Sequence, residues 1–403
     1  MIKKIVLKNF RSIEKQTLEL APITIFYGPT ASGKSSILYA LLVLKNFILN
    51  PNRPIDGFFN LKFMDLSGFI ECLFNHDETR KMGINISYIL PSEKISCSYG
   101  IDFSKNSAEI FFVCKKLNID LKVEVSIPYS ATKNFEFPLK HNDEDYKIQW
   151  NGITCNQVIP QNPTVEAREK ARKIAFFINS STKILKEVDI VPHKRGFFKP
   201  FYTPAGVSSF PVTEDEVASM IIDDQYLQGK ISVDAEKIFG RDFRLHTPSG
   251  TAHYYFMTTD KESRVPSYLV NDGFGINQII YLLSKLHRRD VRVILIEEPE
   301  VHLHPTMIRN LVRVLCSIIK EEKKQIILTT HSEPFVIFLL NNVKERVITP
   351  KEVKFYLTTK EKKITRFQPQ EVNEEGQIEG GLSTFVEAEL QDLEKFLGER
   401  KNE

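Results

Sequence analysis

The hydrophobic and polar positions of this 403-residue chain follow a different pattern in each part of the sequence. Near the start, a continuous apolar run predicts a buried strand over residues 21–27, and the apolar segment that begins at Ser36 is typical of a helix. From about residue 56 to 150, short runs alternate apolar and polar positions, which predicts antiparallel strands with one buried face. Residues 164–190 and 213–239 carry apolar side chains at helical spacing and predict helices.

The last third of the chain alternates between the two patterns. Buried strands are predicted over residues 291–296 and 325–329, and helices over 275–286 and 306–320. Strands that alternate with helices indicate a parallel sheet that is covered on both faces. Because another buried strand lies near the start of the chain, we expect one sheet to be assembled from both ends of the sequence, with the middle as an insertion.

The turn between the first buried strand and the first helix carries the most specific motif. It reads GPTASGKSS and matches G-x-x-x-x-G-K-[ST] at every fixed position. In such a P-loop, or Walker A motif, backbone N–H groups surround phosphate oxygens at the positive end of the helix, the lysine reaches the β- and γ-phosphates, and the serine binds Mg²⁺. The predicted phosphate-binding residues are Gly28, Pro29, Thr30, Ala31, Ser32, Gly33, Lys34, Ser35 and Ser36.

Two further strand ends carry catalytic side chains. The run RVILIEEP has the form of a Walker B motif, in which Glu297 would bind Mg²⁺ and Glu298 would take a proton from the attacking water. Asp is the usual first acid of this motif, so the longer Glu297 changes the expected metal geometry. About thirty residues later, a strand ends at His331, which can orient that water. The alternatives are solvated acids at a strand end and a structural histidine.

Composition narrows the classes of function. Hydrophobic residues make up 42% of the chain and charged residues 26%, as in an ordinary folded protein. The net charge of +3 means that any contact with nucleic acid must come from a local patch. The five cysteines are scattered and favour reduced thiols. No apolar run approaches the roughly 18 residues that span a bilayer, so we expect no membrane contact and a cytoplasmic location.

Together, these motifs resemble those of ABC-type ATPases, specifically the RecF/SMC-like and OLD-like soluble branch. The resemblance rests on the P-loop, on KNFRS at residues 8–12, on IEEPEVHLHP at 296–305 and on TTHS at 329–332. It implies an α/β P-loop head with a mixed sheet, an antiparallel β subdomain, and a helical lobe inserted between Walker A and Walker B. The implied ranges are an N-terminal part of the head with the P-loop and β subdomain (1–150), the helical insertion (151–265) and a C-terminal part of the head (266–403).

The resemblance also implies a signature loop that completes the nucleotide site of a partner subunit. The matching segment, NDGFGINQ at residues 271–278, keeps two glycines before a helix but lacks the usual Leu-Ser-Gly-Gly sequence. Gly273 and Gly275 are the expected backbone donors, with Asn271 or Asn277 as the polar contact. A plain helix N-terminus explains the segment equally well.

The function implied by the resemblance is hydrolysis of ATP with Mg²⁺ by an ATP-gated, head-to-tail homodimer, in DNA repair, genome maintenance or anti-phage defence. The alternative is a nucleotide-gated scaffold or switch, with negligible turnover, for a partner effector protein. OLD-like nucleases need a further C-terminal domain with clustered acids. Residues 341–403 show no such cluster and predict two strand-like pieces and a terminal helix. We therefore expect a stand-alone ATPase without a Toprim nuclease domain and without nuclease activity.

One segment permits two interpretations. Residues 192–202, PHKRGFFKPFY, interleave cations with aromatic side chains. The cations can neutralise phosphates while the rings stack on exposed bases of a nucleic acid. Alternatively, the rings pack on the core and the cations pair with acidic neighbours.

Overall fold

The computed structural model describes residues 1–90, 93–141 and 144–378, and the chain divides into two compact units. Unit 1 contains Met1–Leu20, Ser35–Val188 and Glu361–Arg366. Unit 2 contains Ala21–Lys34, Asp189–Lys360 and the chain from Phe367 onward. The range 1–150 therefore contributes to both units, and the three domain ranges proposed above stay a prediction.

The secondary structure elements are numbered in chain order. The strands are β1 (Ile2–Phe10), β2 (Ile13–Glu19), β3 (Ile23–Tyr27), β4 (Met82–Leu90), β5 (Ile95–Phe103), β6 (Ser107–Cys114), β7 (Ile119–Ser126), β8 (Phe135–His141), β9 (Glu144–Trp150), β10 (Cys155–Pro160), β11 (Val188–Val191), β12 (Arg241–His246), β13 (Tyr255–Asp260), β14 (Pro266–Tyr268), β15 (Val293–Glu297), β16 (Gln325–Thr330), β17 (Val353–Glu361) and β18 (Ile364–Gln370). The α-helices are α1 (Ser36–Leu49), α2 (Phe69–Cys72), α3 (Val165–Lys186), α4 (Glu214–Asp223), α5 (Gln225–Phe239), α6 (Phe274–Leu286), α7 (Pro305–Glu321) and α8 (Glu333–Lys344).

Unit 1 is built largely from antiparallel strands, as the alternating pattern predicts. One sheet has the order β2-β1-β4-β5-β6-β7 and a second has the order β10-β9-β8. In β7 every second side chain is buried, beginning with Ile119, because successive side chains point to opposite faces of a sheet. The N-cap of helix α3 is Thr164, whose side chain accepts a hydrogen bond from the N–H of Ala167.

Two predicted helices differ from the structure at their boundaries. The helix predicted over residues 164–190 ends at Lys186, and its last residues form β11, where β-branched side chains favour a strand. The helix predicted over residues 213–239 is two helices, α4 and α5, separated at Asp224. The Asp224 side chain accepts a hydrogen bond from the N–H of Leu227 and so starts α5 as its N-cap.

Unit 2 contains the parallel sheet expected from the last third of the chain. Its strand order is β11-β15-β16-β3-β17-β18, and β3 is parallel to both β16 and β17. A strand from the start of the sequence thus lies between strands from its end, which confirms that both ends build one sheet. β17 and β18 also match the two strand-like pieces predicted after residue 341, whereas the predicted terminal helix lies outside the described residues. Among the described residues, no helix is long and apolar enough to cross a membrane.

A buried charged cluster joins the C-terminal ends of α6 and α7 to helix α5 in unit 2. The two ring nitrogens of His287, at the end of α6, each lie 2.9 Å from a carboxylate oxygen, one of Asp234 in α5 and one of Glu322 at the end of α7. Burial opposes a charge on the imidazole, but the two carboxylates outweigh it and raise the pKa of His287. Burial likewise opposes ionisation of Glu322, yet His287 and Lys324 lower the pKa of this carboxyl to about 2. Other cations that face the cluster are Lys230 and Lys237.

We expect His287→Gln to destabilise the protein within a limited pH window. The contribution of His287 is complete below its unfolded pKa of 6.5 and is lost as pH rises through the raised folded pKa. The contribution of Glu322 is present above its unfolded pKa of 4.5 and is lost as pH falls toward 2. Urea unfolding of the wild type and of His287→Gln, repeated from acid to alkaline pH, would measure this. The difference in unfolding free energy should be largest between pH 4.5 and pH 6.5. A pH-independent difference, or one that the exposed His246→Gln reproduces, would contradict the cluster's role.

Candidate nucleotide site

Three neighbouring strands of unit 2 bring the predicted catalytic residues to one edge of the sheet. The strands β15, β16 and β3 are parallel neighbours. Glu297 at the end of β15 lies opposite Thr329, and Thr330 at the end of β16 lies opposite Tyr27. The segments that follow these strands therefore begin at the same edge, which is where ligands bind in open α/β sheets.

The P-loop leaves β3 with a backbone that only glycine adopts readily. Gly28 has φ +137° and Gly33 has φ +99°. A Cβ atom at Gly28 would lie 2.3 Å from the carbonyl oxygen of Thr358, in the neighbouring strand β17. The first glycine of the motif is therefore required both by its backbone conformation and by the close approach of β17.

The ammonium group of Lys34 lies inside the loop. It donates hydrogen bonds to the carbonyl oxygens of Gly28 and Pro29, at 3.0 and 2.7 Å, and lies 3.4 Å from Nδ1 of His331. Burial lowers the pKa of Lys34 to about 8, and the charges of Glu298 and Glu300 partly offset that effect. Because a nearby anion favours the protonated amine, a phosphate in this loop would raise the lysine pKa again.

The next two residues begin helix α1. Ser35 is the N-cap of α1, but its side chain makes no capping hydrogen bond to the helix. The hydroxyl of the buried Ser36 accepts a hydrogen bond from the Arg11 guanidinium at 3.3 Å. The helix cap thus does not use the Ser35 hydroxyl, the group that the motif assigns to Mg²⁺, whereas the Ser36 hydroxyl has a protein partner.

The two Walker B acids lie in different environments. Glu297 is buried with β15, and one of its carboxylate oxygens accepts a hydrogen bond from the backbone N–H of His193 at 3.2 Å. Glu298 is more exposed and has a positive φ of 44°. Its Oε1 lies 3.1 Å from Nε2 of His331, and its Oε2 lies 3.2 Å from Nδ1 of His193. The hydrogen bond with His331 is the main cause that lowers the pKa of Glu298, and burial opposes it.

His331 therefore links the other two catalytic residues predicted from the sequence. One ring nitrogen faces Lys34 and the other faces Glu298. Its backbone N–H donates to Oε1 of Glu300 at 3.1 Å, and the Thr330 hydroxyl donates to the same oxygen at 2.6 Å. Burial raises the pKa of Glu300. This carboxyl, which the sequence interpretation did not single out, ties the histidine segment to the segment that follows β15.

The structure also places part of the basic aromatic segment at the Walker B strand. The buried Arg195 donates to the carbonyl oxygens of Glu297 and Glu298, at 2.7 and 2.8 Å. Burial lowers the pKa of its guanidinium to about 10, while nearby carboxylates raise it. Phe197 and Tyr202 lie in the core of unit 2. These residues fit the structural alternative. The segment that contains Arg195 directly follows β11, and β11 is the neighbour of β15 in the sheet, which brings this segment close to the Walker B acids.

The remaining side chains of this segment leave its second interpretation open. Phe198 and Phe201 are 46% and 37% exposed, and Lys194 is also exposed. Lys199 is exposed but pairs with Asp215 at 2.6 Å. A role in nucleic-acid binding therefore stays a prediction for the exposed rings and for Lys194.

The signature-like loop combines one open glycine with one tightly packed glycine. Gly273 is the N-cap of α6, and nothing lies within 4 Å of a Cβ atom placed there. A Cβ atom at Gly275 would lie 2.6 Å from the carbonyl oxygen of His302, so α6 needs glycine to pack on the segment after β15. The side-chain amide of the buried Asn277 bonds to both backbone groups of Phe197, which makes it structural. Contacts of Asn271, Gly273 and Gly275 with nucleotide stay predictions.

Comparison with known proteins identifies the family. Residues 23–337 match the family described as "AAA domain, putative AbiEii toxin, Type IV TA system". The chain belongs to this family. Membership of this AAA domain family confirms the predicted ABC/AAA ATPase of the RecF/SMC/OLD-like branch.

Two curated relatives of this AAA domain protein are nucleases by name. It is 24% identical over 352 residues to an OLD nuclease from Thermus scotoductus, and 22% identical over 361 residues to endonuclease GajA from Bacillus cereus. The matches cover 83% and 84% of this chain, but the chain spans only 60% and 57% of the relatives' lengths. The activities of those whole proteins therefore do not transfer to this chain directly.

A solved structure supports the fold. The SmcHead bound to the C-winged helix domain of ScpA has a TM-score of 0.52 with this AAA domain protein, covering 91% of this chain and 97% of its own, at 11% identity. The predicted α/β ABC-type head with a mixed sheet and an antiparallel β subdomain is thereby confirmed. At this identity, the likeness concerns the fold alone.

Proposed function

We propose that this protein binds ATP with Mg²⁺ and hydrolyses it, with Lys34, Glu298 and His331 as its catalytic residues. The observation that carries the proposal is the continuous contact from the Lys34 ammonium through the His331 ring to the Glu298 carboxylate. These three groups come from segments that meet at one edge of the sheet. Membership of a P-loop ATPase family supports the same chemistry.

Each residue has a separate task in this reaction. The P-loop N–H groups and Lys34 would hold the phosphates, and Glu298 would accept a proton as water attacks the γ-phosphate. Glu298 can take that task because its carboxylate, whose pKa the His331 contact lowers from 4.5, is ionised at neutral pH; the same shift makes it a weaker base. His331 would hold the carboxylate and contact the same phosphate. Together these groups supply mainly positioning and charge stabilisation, which is what phosphoryl transfer requires.

The donors present also suit a magnesium ion. Mg²⁺ prefers hard oxygen ligands and retains several waters, so one hydroxyl and one carboxylate make an adequate protein contribution. Ser35 and Glu297 are our candidates for these ligands. When bound, the ion would neutralise charge on the phosphate oxygens.

We further propose that two copies form an ATP-dependent, head-to-tail homodimer. In this arrangement Asn271, Gly273 and Gly275 of one copy would face the nucleotide held by the other. The open space at Gly273, the N-cap of α6, supports this role, because a helix N-terminus attracts anions. Asn277 is not part of the proposed contact, since its amide is already paired with Phe197.

A shared site predicts that specific ATPase activity rises with protein concentration. A dilution series of the wild-type protein, assayed by multiple-turnover phosphate release, would measure this dependence. Lys34→Ala is the control and should abolish release at every concentration, because the loop then has no ammonium for the phosphates. Turnover by a strict monomer at constant specific activity would contradict the shared site.

A second candidate function follows from the departure of the signature-like loop from the family pattern. It is a nucleotide-gated scaffold or switch that binds ATP with negligible turnover and acts through a partner effector. Absence of multiple-turnover phosphate release, together with retained ATP binding, would favour this candidate. In either form we place the protein in DNA repair, genome maintenance or anti-phage defence, a setting supported by its OLD nuclease and GajA relatives. The absence of nuclease activity stays a prediction.

A further inference from the structure

Two residues outside the nucleotide motifs hold both Walker B acids. His193 contacts the Glu297 carboxylate through its backbone N–H and the Glu298 carboxylate through its ring, each at 3.2 Å. Two residues later, Arg195 contacts the backbone carbonyl oxygens of the same acids. The carboxylates and the backbone of the Walker B acids are therefore both held from one short segment.

The backbone at Glu298 needs such support. Its φ of 44° lies in the left-handed region, which residues other than glycine, asparagine and aspartate seldom adopt. Conformations of this kind persist at functional sites when the surroundings fix them. The planar guanidinium of Arg195, buried and bonded to two successive carbonyl oxygens, fixes the peptide units on both sides of the Glu298 Cα atom.

The carboxylate of Glu298 has a second freedom, rotation about its last side-chain bond. That torsion has a broad energy profile in glutamate. His331 contacts Oε1 and His193 contacts Oε2, so the two rings together restrict this rotation. An ionised carboxylate has about four lone-pair positions, which leaves room to accept a proton from water.

We propose that His193 is a second positioning residue for Glu298, and that Arg195 fixes the backbone that presents both Walker B acids to the nucleotide. The proposal rests on the ATPase function proposed above. It assigns to the chain between α3 and α4 a role in hydrolysis that neither Walker motif supplies. His331 contacts Lys34 as well as Glu298, whereas His193 contacts the two Walker B acids.

The effect of His193 can be separated from folding. Its side chain is 57% exposed, so its truncation removes little packing. Asparagine can replace it conservatively, because the amide nitrogen of Asn can donate a hydrogen bond from a position near Nδ1 of histidine. His246, another exposed histidine of unit 2, provides a matched control.

The test compares wild type, His193→Ala, His193→Asn and His246→Ala by steady-state ATPase kinetics and by the dissociation constant of MgATP. We expect His193→Ala to lower kcat by about 10- to 100-fold, the range for lost second-layer contacts and small misplacements. The KM and the dissociation constant should stay within about twofold, because the phosphates are held by the P-loop. His193→Asn should recover most of kcat, and His246→Ala should match wild type.

A measurement without turnover checks the same contact. At fixed pH, Glu298→Gln should move the ring NMR signals of His193, whereas Glu345→Gln should not. Unmoved His193 signals would overturn the proposal, as would wild-type kcat in His193→Ala or equal losses in the alanine and asparagine variants. An inactive wild type would instead refute the proposed ATPase function, and the NMR result would still decide whether His193 holds Glu298.

Discussion

Glu298→Gln is expected to abolish nearly all ATP turnover while ATP binding is retained. Glutamine preserves the size of the side chain and an oxygen that can accept from His331, but it cannot take a proton from water. General-base assistance contributes about 10²- to 10⁴-fold, so phosphate release should fall by at least the lower of these factors. Because ATP then persists, the variant should accumulate as an ATP-bound dimer. Phosphate release and size-exclusion chromatography with ATP would measure the two effects.

The control for this variant is Glu345→Gln, which makes the same chemical change at an exposed position after α8. It should leave turnover within about twofold of wild type, as expected for a surface substitution. Glu298→Gln that retains more than a tenth of wild-type turnover would exclude Glu298 as the general base. Loss of nucleotide binding in the variant would show that the Glu298 carboxylate contributes to the binding of ATP rather than to its hydrolysis.

The sheet and the strand ends that carry the candidate catalytic residues could be predicted because their signals are local. A continuous apolar strand followed by a charged or glycine-rich turn identifies one strand end at a time. Parallel strands then bring these ends to one edge, so Lys34, Glu298 and His331 meet although each belongs to a different motif. The strand order explains why these residues are close, while their contacts at 3.4 and 3.1 Å come from the structure.

The residues that support the site carry no comparable local signal. Arg195 lies about one hundred residues before the carbonyl oxygens that it contacts. Its sequence neighbours are basic and aromatic, a pattern that fits nucleic-acid binding as well as the packing that the sequence favours. In the sequence, Glu300 resembles any acid that follows a strand. Only the structure shows that its Oε1 accepts a hydrogen bond from the backbone N–H of His331. Such roles depend on which segments the fold brings together, and residue type alone does not reveal them.

The boundaries of two helices were predicted wrongly for a related reason. Apolar spacing near residues 188–191 fits a helix, but these residues gain more by joining the edge of the unit 2 sheet as β11. At Asp224, the side chain caps a new helix instead of continuing the old one. In both places a tertiary or capping interaction outweighed the periodic pattern.

A fully buried ion pair in unit 2 anchors the start of the segment that supports Glu298. Asp189 and Lys285 are both 0% exposed, and the lysine ammonium lies 2.7 Å from Oδ1 of the aspartate. Arg288 contacts the other oxygen at 2.7 Å, and the backbone N–H of Ile190 donates to Oδ1 at 2.8 Å. Burial lowers the pKa of Lys285 to about 8, and Asp189 is the leading group that opposes this shift. Removing Asp189 would leave a buried cation without its anion.

Asp189→Ala is therefore expected to lower the free energy of unfolding by about 3–5 kcal/mol, the cost of breaking a buried pair by removal of one partner. Urea unfolding at neutral pH would measure the loss. The matched control is Asp290→Ala, which removes a 67% exposed acid that pairs with the same Arg288, and should cost no more than about 1 kcal/mol. Similar losses for the two variants would show that burial of the Asp189 pair adds nothing to stability. Because β11 begins one residue before Asp189 and leads to His193, partial loosening there should also lower ATPase activity before global unfolding is reached.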